Sequence, residues 1–224
     1  MPRRLVTFCS AAVFILSSSS VLAGPISLAN AGFEDPDIGN GASATWPSLA
    51  PTGWAENLAS GATLIDPTSG LQAREGDQYM LFQIDNRFGN QYIRQTTTEV
   101  LTAGNTYTAS VWLGARGHGE SWGSIGLRAG NTLLDWARLV VPGRQSSEIS
   151  YSEWYELSFT YTATAADANL GQTLSIDLWR DQGMGSAAFD DVGFAVDPVD
   201  VPEPASLLLL ATGSLLVRRR RLHS

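Results

Sequence analysis

Lysine is missing from this chain altogether, cysteine occurs once, at Cys9, and histidine twice, at His118 and His223. Each shortage removes a class of chemistry. A lone cysteine cannot close a disulfide, and Cys9 lies in the N-terminal segment, so the body of the chain must hold itself by burial or by a metal. Two histidines and one cysteine do not furnish a zinc site, and a Ser-His-Asp triad has little but His118 to draw on. His118 sits in Arg116-Gly117-His118-Gly119-Glu120, which has the composition of a loop. Gly117 and Gly119 followed by Gly123 lack the dinucleotide-binding spacing and any lysine for a phosphate. Helical periodicity is not sustained anywhere between residues 24 and 196. Long apolar runs are confined to the two ends.

Positive charge is scarce too. Setting aside Arg3, Arg4, Glu203 and the four C-terminal arginines leaves 8 basic and 21 acidic residues between 24 and 201, a net of −13. Such a domain repels nucleic-acid phosphates and anionic lipid headgroups. Its partners are neutral, cationic or bridged by divalent ions, although an acidic surface also serves plain solubility.

The ends carry an address. Arg3 and Arg4 precede the apolar stretch Leu5 to Leu16, a serine run and Val21-Leu22-Ala23. That is the layout of a secretory signal peptide over 1–23, cut between Ala23 and Gly24. At the other end Pro202-Glu203-Pro204 keeps the backbone extended. The charge-free run 205–217 and then Arg218, Arg219, Arg220 and Arg221 follow. A helix over 205–217 rises roughly 20 Å. It falls short of the ~20 apolar residues that span a bilayer comfortably, so the arginines snorkel and stay cytoplasmic. These three parts, in this order over 202–224, resemble the PEP-CTERM sorting signal. The resemblance implies an exosortase-type membrane enzyme as partner, transient anchoring through that helix after export, and delivery to the cell surface or extracellular matrix. It carries no biochemical activity with it.

Residues 24–196 read as one all-β domain, joined to the sorting signal by a linker over 197–201. Short runs rich in Val, Ile, Leu, Thr, Tyr and Trp alternate with Gly, Asn, Asp and Pro. Strands are expected over 26–30, 53–56, 62–65, 78–84, 92–99, 106–116, 124–128, 136–141, 154–164, 173–180 and 187–196. Gly39 to Ser43 and Gly183 to Ser186 read as loops. Many short strands between regular turn signals predict a jelly-roll β-sandwich.

Two strands stand out. Tyr107, Ala109, Val111 and Leu113 share one face, which puts Trp112 on the other; Leu174, Ile176 and Leu178 share a face, which puts Asp177 and Trp179 on the other. Placed on neighbouring strands, Trp112 and Trp179 would form a platform for the apolar face of a sugar, with Arg116, Asp177 and Arg180 for its hydroxyls. The alternative is that a loop covers both rings as ordinary packing.

The order of signals also resembles a family. Asn30-Ala31-Gly32-Phe33-Glu34, Gly53-Trp54, the run Ala103 to Trp112, Trp154 to Phe159 and the closing Phe189-Asp190-Asp191-Val192 are similar to galactose-binding-like jelly rolls, in particular carbohydrate-binding modules of the family 4/9/22 kind. The resemblance implies non-catalytic binding of extracellular polysaccharide. It also implies one structural Ca2+ where the first and last strands meet, held by Glu34 with Asp190 or Asp191. A structural matrix or surface protein without a discrete ligand is the second expectation. A glycan hydrolase is the third, its carboxylate pair unselected by spacing among Glu56, Glu75, Asp77, Glu120, Glu153 and Asp181.

Overall fold

In a computed structural model of the chain, the residues described are 24–45, 48–56, 62–83, 92–116, 119–142, 153–183 and 185–199. The signal peptide, the sorting signal with its helix, and His118 lie outside them. The described residues form strands β1 (Gly24–Pro25), β2 (Ser43–Thr45), β3 (Ala55–Glu56), β4 (Ala62–Ile65), β5 (Tyr79–Phe82), β6 (Tyr92–Val100), β7 (Thr106–Arg116), β8 (Ser121–Ala129), β9 (Thr132–Val141), β10 (Trp154–Thr162), β11 (Thr173–Gly183) and β12 (Ser186–Asp197), with no helix among them. No helix of the described residues is long and apolar enough to cross a membrane.

Two sheets make the expected jelly-roll sandwich. Sheet A runs β10-β7-β12-β5-β4-β2, with β1 paired to the far half of β12, and sheet B runs β3-β6-β11-β8-β9. Period-two alternation decides the inner faces. Tyr107, Ala109, Val111 and Leu113 of β7 and Leu174, Ile176 and Leu178 of β11 are all buried, as predicted. Ile125 and Leu127 of β8, Ile93 of β6 and Phe189 of β12 complete the layer, and Phe82 meets Phe189 edge-on with ring centroids 5.3 Å apart. Burying a side chain such as Phe189 contributes about 2–3 kcal/mol.

Strands β4 and β5 are buried on both faces, so Ala62-Thr63-Leu64-Ile65 and Tyr79-Met80-Leu81-Phe82 read as continuous apolar runs rather than alternating ones. Their outer face is covered by the segment 66–78. Leu71 and Trp154 join Ile65, Tyr79, Leu81 and Ala188 in a second, smaller core there.

Two elements differ from expectation. Residues 26–30 do not pair as a strand beyond the Ile26 N–H bond to the Phe194 carbonyl. An inward-facing amide replaces the ladder: Gln95 donates to the Ala29 carbonyl and accepts from its N–H, both at 2.7 Å. Strand β2, not expected from the sequence, follows the expected loop 39–43 and shares only Ser43 with it; it lies at the edge of sheet A against β4, where it needs only one partner and little apolar content.

The sheets approach closely at Gly123 of β8, where an added methyl carbon would stand 2.2 Å from Leu113 Cδ1 and 3.0 Å from Phe189 Cζ. Gly123→Ala is therefore expected to cost about 1–3 kcal/mol by overpacking. Urea unfolding would show a lower midpoint at unchanged slope.

Candidate functional site

The outer face of sheet B gathers aromatic and charged side chains from four strands in register. Asp177 pairs with Arg94 across β6 and with Gly126 across β8; Trp179 pairs with Tyr92 and Ser124; Gly126 in turn pairs with Trp136 of β9. These residues share one face by alternation.

Asp177 lies at its centre, only 1% exposed. Arg94 reaches it with Nε on Oδ1 at 2.6 Å and a terminal nitrogen on Oδ2 at 2.9 Å, and Arg128 Nε reaches Oδ2 at 2.5 Å. Both guanidinium groups stack on Tyr92, 4.6 Å and 5.9 Å from its ring centroid. The Asp177 hydrogen bond, opposed by burial, holds Arg94 more firmly protonated than usual. Asp177 thus faces outward as expected but is sealed beneath two arginines. It organises the face and has no free edge for a ligand.

Beside this cluster Trp179 lies over Gly126. A methyl carbon on Gly126 would stand 2.8 Å from Trp179 Cζ3 and 2.9 Å from Leu133 Cδ1, so the missing side chain leaves room for the indole to rest on the sheet. Trp179 Nε1 donates to Asp181 Oδ1 at 2.6 Å, and the Ser124 hydroxyl donates to Asp181 Oδ2 at 2.5 Å. Trp136, 44% exposed, stands 5.8 Å from Trp179 between ring centroids. Arg138 lies over Trp122 at 4.9 Å and over Trp136 at 5.8 Å, and approaches Asp181 Oδ2 at 3.8 Å. The result is an aromatic shelf with hydrogen-bonding groups at its edge.

Trp112 is not part of it. Strand β7 belongs to sheet A, so Trp112 and Trp179 sit on different sheets and on outward faces that do not meet. Arg74, from the segment covering sheet A, stacks on the Trp112 ring at 4.2 Å. Arg116 also belongs to sheet A, paired with Ser186. Arg180 Nε donates to the Gly185 carbonyl at 3.0 Å, bracing the turn between β11 and β12, and burial pulls its pKa down. The alternation placed each side chain on the correct face of its own strand; strand pairing, invisible in that pattern, separates them. Trp122, Trp136, Tyr92, Arg94, Arg128 and Arg138 escaped notice because their significance lies in register with β11.

Of the three residues expected to hold a metal, Glu34 and Asp190 are neighbours close enough for their charges to interact. Asp190 is fully buried and accepts N–H bonds from Arg74 and Glu75 on Oδ2, at 2.7 and 3.2 Å, and from Asp191 on Oδ1 at 2.8 Å. Glu34 accepts from Asp77 and Gln78 at 3.0–3.1 Å. Burial raises the Asp190 pKa to about 7 against the pull of those donors, and the Glu34 charge adds to the rise. Two carboxylates crowded in this way fit a hard cation in charge, but they supply only part of the six to eight oxygens calcium takes. No group of three or more His, Cys, Asp and Glu side chains gathers among the described residues. Asp191, half-buried at φ 50°, sits at the irregularity in the β12–β7 pairing.

With this geometry in view, comparison with known proteins is informative. The model of the HpiC1 cyclase family matches residues 24–195. The chain belongs to the HpiC1-like cyclase family. The PEP-CTERM protein-sorting motif matches residues 200–221, as the three-part tail predicted. Among solved structures, the HpiC1-like domain is similar to the Stig cyclase Fisc from Fischerella sp. TAU, crystallised with (3Z)-3-(1-methyl-2-pyrrolidinylidene)-3H-indole. The identity is 22%, covering 80% of this chain and 100% of that one, with a TM-score of 0.65. A cyclase from Fischerella sp. TAU in complex with 4-(1H-indol-3-yl)butan-2-one gives 22% identity, the same coverages and a TM-score of 0.63. A CBM4 structure is a more distant match, at 17% identity, 76% and 99% coverage and a TM-score of 0.45. No curated protein matches the sequence. At these identities the solved neighbours speak for the jelly-roll fold alone.

Removing Asp177 leaves two guanidinium groups facing each other over Tyr92. Asp177→Ala is expected to cost about 3 kcal/mol, with the two arginines' partial exposure keeping the loss at the low end for a broken buried pair; a shift in the urea midpoint measures it. Separately, calcium is expected to raise the melting temperature of the chelator-treated protein if it bridges Glu34 and Asp190, and Asp190→Ala should abolish the rise. An unchanged melting temperature on adding calcium would leave the pair as purely main-chain pins.

Proposed function

We propose that this is an exported, exosortase-processed surface or matrix protein whose outer sheet-B face binds carbohydrate without catalysing a reaction. The observation that carries the reading is Trp179, its indole resting over Gly126 beside the exposed Trp136. Flat indole surface stacks on the apolar face of a pyranose ring, and Arg138 and Asp181 at the margin supply a donor and an acceptor for hydroxyls. The sorting motif supports a setting outside the inner membrane, where polysaccharide surrounds the protein. The acidic, lysine-free domain suits a neutral ligand. Proton transfer needs a donor or acceptor within reach of a ligand, and the carboxylate at the centre of this face already receives three guanidinium N–H bonds. That favours binding over turnover. We propose further that Glu34 and Asp190 hold one structural Ca2+, with main-chain carbonyls and water completing its shell.

Membership of the HpiC1-like family favours a second reading, in which the same shelf receives an indole-bearing small molecule and acts on it as a cyclase. The two readings part in one experiment. Tryptophan fluorescence of residues 24–201 is titrated with soluble oligosaccharides and, separately, with 4-(1H-indol-3-yl)butan-2-one. The binding-module reading expects a saturable shift with an oligosaccharide that is lost in Trp179→Ala and Trp136→Ala and kept in Trp112→Ala. A shift with the indole alone would transfer the site to the cyclase reading.

A further inference from the structure

On the opposite side of the sandwich, the outer face of sheet A holds a depression of about 620 Å3 at the end of β4, β5, β12 and β7. That volume is in the range of small-molecule sites. It is separate from the Trp179 shelf, since the walls come from sheet A and its loops alone. Asp66, Gln83 and Arg116 line it together with the hydroxyl residues Ser43, Thr68, Ser69 and Ser186.

Two of these residues are out of keeping with a merely packed surface. Asp66 is 5% exposed, yet no described side chain or main-chain N–H bonds its carboxylate; only its own N–H is engaged, by the Ala42 carbonyl at 3.1 Å. Among the described residues only the Tyr79 hydroxyl is a fully buried side-chain polar atom without a partner, so the Asp66 carboxylate opens onto the depression. Arg116, which lines the same depression, has no ion-pair partner among the described residues. Its guanidinium is the charged neighbour of the Tyr79 hydroxyl, which is fully buried and makes no well-aligned hydrogen bond. In a domain with so few cations, an arginine without an acid and an acid without a base, counting the described residues, line one cavity and leave a charge arrangement open to a ligand.

We infer that this depression is a second ligand site, for a zwitterion of short-peptide size whose ammonium end meets Asp66 and whose carboxylate end meets Arg116. An ammonium supplies charged donors to the bare carboxylate, and a carboxylate accepts two guanidinium N–H bonds side by side. The hydroxyl groups of Ser43, Ser69 and Ser186 and the Gln83 amide serve the peptide units between. Gln83 is already oriented by its bond to Thr63 Oγ1 at 2.9 Å.

The test uses residues 24–201 and thermal shift with the free dipeptides alanylalanine and lysylglutamate, their N-acetylated and C-amidated forms, and maltose. The expected result is stabilisation by a free dipeptide, absent with its blocked form. The gain should fall by at least about tenfold in apparent affinity in Asp66→Asn and in Arg116→Gln, because each strands a charge of the ligand. Ser69→Trp, which fills the mouth without touching either charged group, should abolish it while melting normally. Without ligand, Asp66→Asn should melt no lower than the parent chain, since the carboxylate has no hydrogen bond or ion pair among the described residues to lose. A lower melting temperature for unliganded Asp66→Asn would make the carboxylate structural and overturn the inference. So would equal binding of blocked and free peptides, a response to maltose alone, or no response to either dipeptide. Trp179→Ala should leave this site intact, so its outcome is independent of the sheet-B reading.

Discussion

A single buried carboxylate governs how the two faces of the sandwich differ. Asp190 sits in β12, inside sheet A, and takes two main-chain N–H groups from the segment 66–78. Glu34 takes the N–H groups of Asp77 and Gln78 in the same way. Together they strap that segment across sheet A, with Leu71 over Gly114 and the Trp154 Nε1 bonded to the Gln72 carbonyl at 2.9 Å. An unsatisfied buried N–H is expensive, so each carboxylate holds the strap through several donors at once.

The strap decides what each sheet can do. Under it β4 and β5 become core on both sides, Trp112 is capped by Arg74, and the depression at its margin stays open. Sheet B has no such cover among the described residues, so its outward side chains solve their own burial problem. Arg94, Arg128 and Tyr92 close over Asp177, and Trp179 beds on Gly126. One face is protected by a loop, the other by its own stacked cations and rings.

Much of the fold was legible from the chain alone. Strong alternation in β7 and β11 identified their inner residues, and the Val, Ile and Thr runs located most strands to within a few residues. Alternation does not say which sheet a strand joins, and that is why Trp112 and Trp179 looked like neighbours. The cluster around Asp177 was equally hidden, since Arg94 and Arg128 stand 83 and 49 residues away in sequence and meet it only through register. Glu34 and Asp190 were brought to notice by resemblance, and the main-chain N–H groups they accept from leave no trace in residue type. Asp66 and Arg116 owe their interest to what they lack, which no sequence pattern records.

The place of β12 in sheet A has a consequence for timing. This last strand pairs with β7 over most of its length, with β5 at its start and with β1 near its end. Until residues 186–197 are available, sheet A has no centre, and its earlier strands have no route to completion. Pairings so distant along the chain form slowly. The sorting motif begins at residue 200, just after β12 ends. A chain threaded through a membrane would therefore bring its keystone strand and its tether across almost together, and the tether would hold the chain in place during the interval in which the sandwich closes.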